Sequence, residues 1–170
     1  MHIDDKEYKT DPLIERVNNT FDGFDRLKRV EYISAAVRTV EDYLYNGEDL
    51  RVRKTIKKST NGYKEEVTNY LYDRGHVILE TDGSNHVRNR HVRGINYIAS
   101  ISANKTTSYF IYNGHGDVVQ TVAPNGEVQN NYDYDIWGNA TLTVETVECS
   151  IRYAGEFYDS ETGLYYLRAR

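Results

Sequence analysis

Hydrophobic and polar positions alternate along most of this chain with a period of two, and short turn signals break the alternation. Thr39, Glu41 and Tyr43 fall on one side of such a run, and Val40, Asp42 and Leu44 on the other. From 50 to 58 apolar and basic residues interleave, so that Val52 and Ile56 are separated by charged positions. The runs at 67–72, 77–80, 95–101, 108–112 and 118–122 are β-branched or aromatic and of strand length. From 128 to 134, Tyr132 and Tyr134 share a face while Asp133 and Asp135 take the other. Successive side chains of a strand point to opposite faces, so each run predicts a strand with one buried face.

The breaks are chemically specific. Asn-Gly occurs at Asn46-Gly47, Asn61-Gly62, Asn113-Gly114 and Asn125-Gly126, Asp-Gly at Asp22-Gly23 and Asp82-Gly83, and Gly-Asn at Gly138-Asn139. These dipeptides accept positive φ, which two-residue hairpin turns require, so consecutive hairpins are expected. Pro124, just before Asn125-Gly126, suits the second position of a turn. The stretch 11–17, with Pro12 and Glu15 near a first turn, admits a helix, but Leu13, Ile14 and Val17 equally begin a strand.

A unit recurs through the series: an aromatic residue, any residue, Tyr, then Asn or Asp and a Gly-containing turn. Its copies are Tyr43-Leu44-Tyr45-Asn46-Gly47, Tyr70-Leu71-Tyr72-Asp73-Arg74-Gly75, Phe110-Ile111-Tyr112-Asn113-Gly114 and Tyr132-Asp133-Tyr134-Asp135-Ile136-Trp137-Gly138-Asn139. A degenerate copy, Phe21-Asp22-Gly23-Phe24-Asp25, opens the series. The acid of the turn, as at Asp73 and Asp135, is expected to hydrogen-bond the local backbone. Equivalent tyrosines of neighbouring hairpins are expected to lie close together, and cross-strand aromatic pairs add roughly 0.2–1 kcal/mol each. A column of such pairs would hold a long, thin sheet with little conventional core, stabilised by its neighbours rather than hairpin by hairpin.

Composition sharpens this picture. The 170 residues include 16 Tyr against 4 Phe and 1 Trp, which favours broad surfaces that are neither dry nor bare. A net charge of -5, with Lys and Arg scattered singly, disfavours nucleic-acid binding. Cys149 is the one cysteine, so it forms no internal disulfide, and it reads as a half-buried strand thiol. No run approaches the roughly 18 apolar residues of a membrane span. Residues 1–10 are polar and acidic, unlike a secretory signal, so export would rely on a signal carried by a longer parent chain.

Catalytic chemistry finds little footing. His2, His76, His86, His91 and His115 show no ligand spacing; His86 and His91, placed on one strand, would face opposite sides. Turn and surface roles are expected for all five. Asp133 with Asp135, and Glu156 with Asp159 and Glu161, read as solvated acids rather than a glycosidase pair across a cleft. Trp137 could contact a sugar, although packing between hairpins is the favoured reading. No catalytic, cofactor-binding or metal-ligating residue is assigned.

The last stretch runs Ile151-Arg152-Tyr153-Ala154-Gly155-Glu156-Phe157-Tyr158-Asp159-Ser160-Glu161-Thr162-Gly163-Leu164-Tyr165-Tyr166-Leu167-Arg168-Ala169-Arg170. The repeats resemble the YD repeats of Rhs proteins, bacterial wall-associated proteins, the C component of insecticidal toxin complexes and teneurins. The tail resembles the entry into the Rhs repeat-associated core domain. The resemblance is close over 109–170, holds in pattern from 39, and is weak before that. It divides the chain into 1–38, a weakly matching segment with a degenerate repeat; 39–148, YD-repeat hairpins; and 149–170, the truncated start of the core motif.

The resemblance implies an all-β fold of consecutive β-hairpins in an extended spiral or curved antiparallel sheet. It implies a non-catalytic segment of a large secreted or cell-surface shell that encloses and delivers a C-terminal toxin. Its partners would then be other YD repeats of the parent shell and the enclosed toxin domain. The family's aspartyl self-cleavage site lies beyond the motif that ends at Arg170, so only a structural role carries over. Two other readings stand beside it: an adhesion module binding cell-surface glycans or proteins, and the remnant of a self-cleaving core. Unpaired strand edges lead us to expect aggregation or poor order when the segment is alone and uncovered.

Overall fold

The computed structural model describes residues 16–34 and 37–168. Arg170 and most of the 11–17 helix reading lie outside the described residues, and Arg16 and Val17 belong to a strand. Twelve strands follow one another: β1 Arg16–Phe21, β2 Leu27–Ile33, β3 Arg38–Tyr45, β4 Arg51–Lys58, β5 Glu65–Asp73, β6 His76–Thr81, β7 Val87–Arg93, β8 Tyr97–Ser102, β9 Thr107–Tyr112, β10 Val118–Val122, β11 Val128–Tyr134 and β12 Ala140–Glu145. Each pairs antiparallel with the next, giving one sheet in sequence order. A separate hairpin, β13 Phe157–Asp159 with β14 Leu164–Tyr166, closes the chain.

Strands β10 and β11 coincide with the predicted runs 118–122 and 128–134. β8 begins two residues later than its predicted run, and Ile95 is left exposed in a loop. Strands β2 and β7 escaped the pattern because charged residues dilute both of their faces.

The turns differ from the two-residue form expected. In five loops an Asn or Asp amide donates to the carbonyl four residues on: Asp22 to Arg26, Asn46 to Leu50, Asp82 to His86, Asn113 to Asp117 and Asp135 to Asn139. The side-chain Oδ1 of each accepts from the amides two and four residues on. These are three-residue loops, and the left-handed residue is the third: Asp25, Asp49, Asn85, Gly116 and Gly138. A two-residue turn with two positive φ angles occurs at Arg74-Gly75, between the paired Asp73 and His76. The carboxamide or carboxylate thus sets the loop, and Gly47 and Gly114 are not the residues that need left-handed backbone.

Each such loop is followed by a bulge. The register slips at Thr20/Phe21, Leu44/Tyr45, Glu80/Thr81, Val118/Gln120 and Asp133/Tyr134, so the second strand carries one extra residue near its start, and the same slip, at Leu71/Tyr72, accompanies the two-residue turn. A bulge bends the strand and increases local twist, which repeats at every hairpin of this type.

One face of the sheet is covered. Residues from 146 onwards turn back and cross it from β11 towards β2. The core joins Tyr70, Val77, Tyr97, Phe110, Val118 and Tyr132 of the sheet to Cys149, Ile151 and Phe157 of this tail. The thin, nearly coreless sheet expected from the repeats therefore gains a second layer. Phe157 sits edge-on to Tyr70, Tyr97 and His91 at centroid distances of 6.2, 6.1 and 5.5 Å. Fully burying a side chain of this size contributes about 1.5–3 kcal/mol. The opposite face leaves Leu44, Leu71, Val92, Tyr109, Ile111, Leu142 and Val144 exposed.

Candidate functional site

The repeat tyrosine has a defined task. Tyr45 Oη donates to the Leu27 carbonyl at 2.8 Å, Tyr72 to Arg51 at 2.7 Å, Tyr112 to Tyr97 at 2.8 Å and Tyr134 to Val118 at 2.9 Å. Every acceptor is the first residue of the preceding strand: β2, β4, β8 and β10. There the neighbouring strands have run past the end of their ladder, and the hydroxyl supplies the donor that the carbonyl lacks. This corrects the expected stacking of equivalent tyrosines. Among the described residues no equivalent pair makes a ring contact; Phe110–Tyr112 and Tyr132–Tyr134 are neighbours on one strand. Successive units are joined by hydroxyl-to-carbonyl clasps, not by ring pairs.

The tail is held over the sheet by polar anchors. At β10, the Val118 amide donates to the Arg152 carbonyl at 3.1 Å, and buried Asp117 accepts from the Ala154 amide at 2.8 Å. Arg152 binds Glu145 at 2.9 Å and lies over the rings of Tyr132 and Tyr158 at 5.0 and 4.3 Å. Farther along, Asp159 is seated between Arg51, at 2.5 and 3.2 Å, and Lys54, at 2.8 Å. Tyr32 Oη donates to the Thr162 carbonyl, and Tyr166 Oη accepts from the Arg51 amide, both at 2.8 Å. Arg168 reaches Glu156 and the Gly75 carbonyl.

Arg51 is the hub of this end. Its guanidinium lies 5.0, 5.3 and 4.4 Å from the ring centres of Tyr43, Tyr70 and Tyr166. Burial opposes ionisation of Asp159, yet the charges of Arg51 and Lys54 overcome it and hold its pKa below the usual carboxylate range. For Glu41, beneath them on β3, burial outweighs the compensation that Tyr43 and Lys54 supply, and the charges of Asp159 and Glu161 oppose it further. Burial pushes its pKa up to about 7, against the hydrogen bond from Tyr43.

The predicted motif residues now have places. Tyr45, Tyr72, Tyr112 and Tyr134 form the clasps; Asn46, Asn113 and Asp135 set loops; Gly75 lies in the two-residue turn with Arg74, and Asp73, paired with His76 at the end of its strand, makes no side-chain bond to the local backbone among the described residues, unlike the acid expected there. Asn139 Nδ2 donates to the Asp135 carboxylate at 2.8 Å. Gly138 has φ +84°, and a Cβ there would meet the Tyr153 ring at 2.7 Å. Gly155 lies against Gly116, Gly163 ends the turn between β13 and β14, and Tyr158 packs on Tyr165 at 5.0 Å. Leu164 is exposed at the tip of that hairpin.

Several expectations are corrected here. Trp137 does not pack between hairpins; with its Asp135 loop turned outward, it is 80% exposed beside Ile136. His91 is not at the surface: strand alternation points it inward, where Nε2 meets Glu80 at 2.7 Å. Asp159 is not a solvated acid but a buried anchor. Asp135 sits in a loop rather than sharing a strand face with Asp133. Cys149 belongs to the tail, not a strand, and burial pushes its thiol up to about 11.

Arg51, Lys54, Glu41, Glu80, Asp117 and Arg152 were missed as functional residues. Lys54 shares the face of Ile56 by simple parity, which was the available signal. Between sheet and tail an open cleft of about 810 Å³ remains, bordered by Lys54, Glu66, Glu80, Arg88 and Glu148.

No family model matches the chain. It is 40% identical over 134 residues to the tRNA3(Ser)-specific nuclease WapA of Bacillus spizizenii, and equally to the tRNA(Glu)-specific nuclease WapA of Bacillus subtilis subsp. natto. The match takes in 75% of this chain, which spans 5% of the length of either relative. Among solved structures it resembles TcdB2-TccC3, with a TM-score of 0.72 and 20% identity over 88% of this chain and 8% of that one. The Photorhabdus luminescens Tc holotoxin pore gives a TM-score of 0.70 and 20% identity, over 91% of this chain and 8% of that one.

Proposed function

The chain is a YD-repeat segment of the Rhs type, and on that premise we propose that it forms a stretch of wall in a much longer secreted or surface protein whose shell encloses and delivers a C-terminal toxin. The observation that carries this reading is the series of four tyrosine clasps, on β3, β5, β9 and β11, which extends a one-sided sheet whose outer strands β1 and β12 pair on one side only among the described residues. Such a sheet is a covering, and its inner face is occupied by the chain's own tail. The segment works by containment, and the catalysis named for the relatives belongs to another part of those proteins.

Two measurements test this. The isolated chain, incubated with total tRNA, is expected to leave it intact; cleavage would remove the non-catalytic role. In the purified parent protein, the C-terminal domain is expected to resist protease, and deleting residues 16–145 is expected to expose it. Undiminished resistance after the deletion would overturn the wall reading.

One observation favours a second reading. Trp137 and Ile136 stand exposed at one loop tip, an arrangement suited to a surface partner. Glycan-array and cell-binding assays of the wild type and Trp137→Ala separate the two.

A further inference from the structure

Glu41 occupies an unusual place. It is fully buried on β3, its Oε2 accepts from Tyr43 Oη at 2.8 Å, and its Oε1 has no partner among the described residues. The charged and titratable groups facing it are Tyr32 from β2, Tyr43 from its own strand, Arg51, Lys54 and Lys58 from β4, and Asp159 and Glu161 from the tail. Arg29, Glu31 and Asp42 belong to the other face of the sheet.

The cations are already committed. Arg51 and Lys54 hold Asp159, Lys54 also faces Glu161 at 3.6 Å, and Lys58 faces Glu161 at 3.8 Å. An unpartnered oxygen costs far more when it carries charge than when it is neutral. An ionised Glu41 would therefore either draw Lys54 away from Asp159 or admit water beneath the tail, and both weaken the seat of the β13–β14 hairpin.

We propose that Glu41 is a proton-operated latch: neutral, it lets the tail hairpin sit on β2–β4; ionised, it loosens that hairpin while the rest of the sheet stays intact. Burial places the ordinary carboxyl value of 4.5 at about 7 here. The folded value lies above the unfolded one, so the stabilisation is fully present below pH 4.5 and is lost as pH rises through 7. The latch concerns only the seating of the tail and does not rest on the shell reading.

Hydrogen exchange of the 170-residue chain between pH 5.5 and 8.5, corrected for intrinsic exchange, tests the latch. Protection of 157–166 is expected to fall by up to about tenfold per pH unit as pH rises towards a midpoint near 7 and to level off above it, while protection of β9–β11 stays level. Glu41→Gln should abolish the step and keep the hairpin protected at high pH. Tyr43→Phe removes the donor that favours the ionised form and should move the midpoint upward. A hairpin with pH-independent protection overturns the latch, as does an unchanged step in Glu41→Gln. If that variant does not fold, an unshifted midpoint in Tyr43→Phe has the same force.

Discussion

Arg51 and Asp159 lie 108 positions apart in the chain and meet as a buried, two-pronged ion pair. The pair joins the first residue of β4 to the acid that ends β13, so it sets where the tail lands on the sheet. Removing Asp159 strands the buried Arg51, and removing Arg51 leaves the buried Asp159 with Lys54 alone. Asp159→Asn or Arg51→Met is expected to cost about 3–5 kcal/mol in urea unfolding. The double variant Arg51→Met/Asp159→Leu should recover a large part of this. Equal losses in the single and double variants would mean that the charges do not act as a pair.

The same carboxylate gives the acid limb of stability. Its folded pKa is depressed below the ordinary 3.8, so its stabilisation is present above 3.8 and lost as pH falls through the lower folded value. Thermal melts are expected to drop below pH 4, and Asp159→Asn should flatten that limb. An undiminished acid limb in the variant would place the titration elsewhere.

The clasps make a selective claim about tyrosines. Tyr72→Phe or Tyr112→Phe removes a donor and leaves a carbonyl unpaired, at an expected cost of about 1 kcal/mol each. Tyr109→Phe, on the exposed face, should stay within about 0.5 kcal/mol of wild type. Denaturation midpoints of the three variants give the comparison, and equal effects would reduce the clasps to ordinary surface tyrosines.

Two glycines separate loop chemistry from loop composition. Gly138→Ala forces an L side chain into φ +84° and against Tyr153, and is expected to cost about 1–3 kcal/mol. Gly47, though part of an Asn-Gly pair, has open space around its would-be Cβ and no positive φ. Gly47→Ala should therefore change stability by less than about 0.5 kcal/mol.

Cys149 reports on the tail. Its thiol is buried, donates to the Ile151 carbonyl, and is pushed up to about 11 by burial. A thiol reagent at pH 8 should label it only as fast as the tail opens, since the thiolate is the reactive form. Rapid labelling of the native chain would show that the tail is not seated.

Local pattern carried far in this protein. Strand alternation placed β3, β10 and β11 and put Glu41 with Tyr43 on one face, because side-chain direction in a strand depends only on parity. The Asn and Asp residues marked the loops because their side chains bond amides two and four positions away, well within one turn. The motif itself singled out Tyr45, Tyr72, Tyr112 and Tyr134 without saying what their hydroxyls do. Trp137 misled, since nothing in a sequence distinguishes a loop residue turned outward from one turned between hairpins.

What the residues determined alone was the repeating unit, its strands and its breaks, all governed by neighbours a few positions apart. Which face would be covered, and by what, was decided only in three dimensions. Arg51 and Lys54 look like surface basics until the tail brings Asp159 to them, and His91 looks exposed until Glu80 and Phe157 enclose it. Burial and pairing depend on chain segments that meet across 108 positions, and no local period encodes such a meeting.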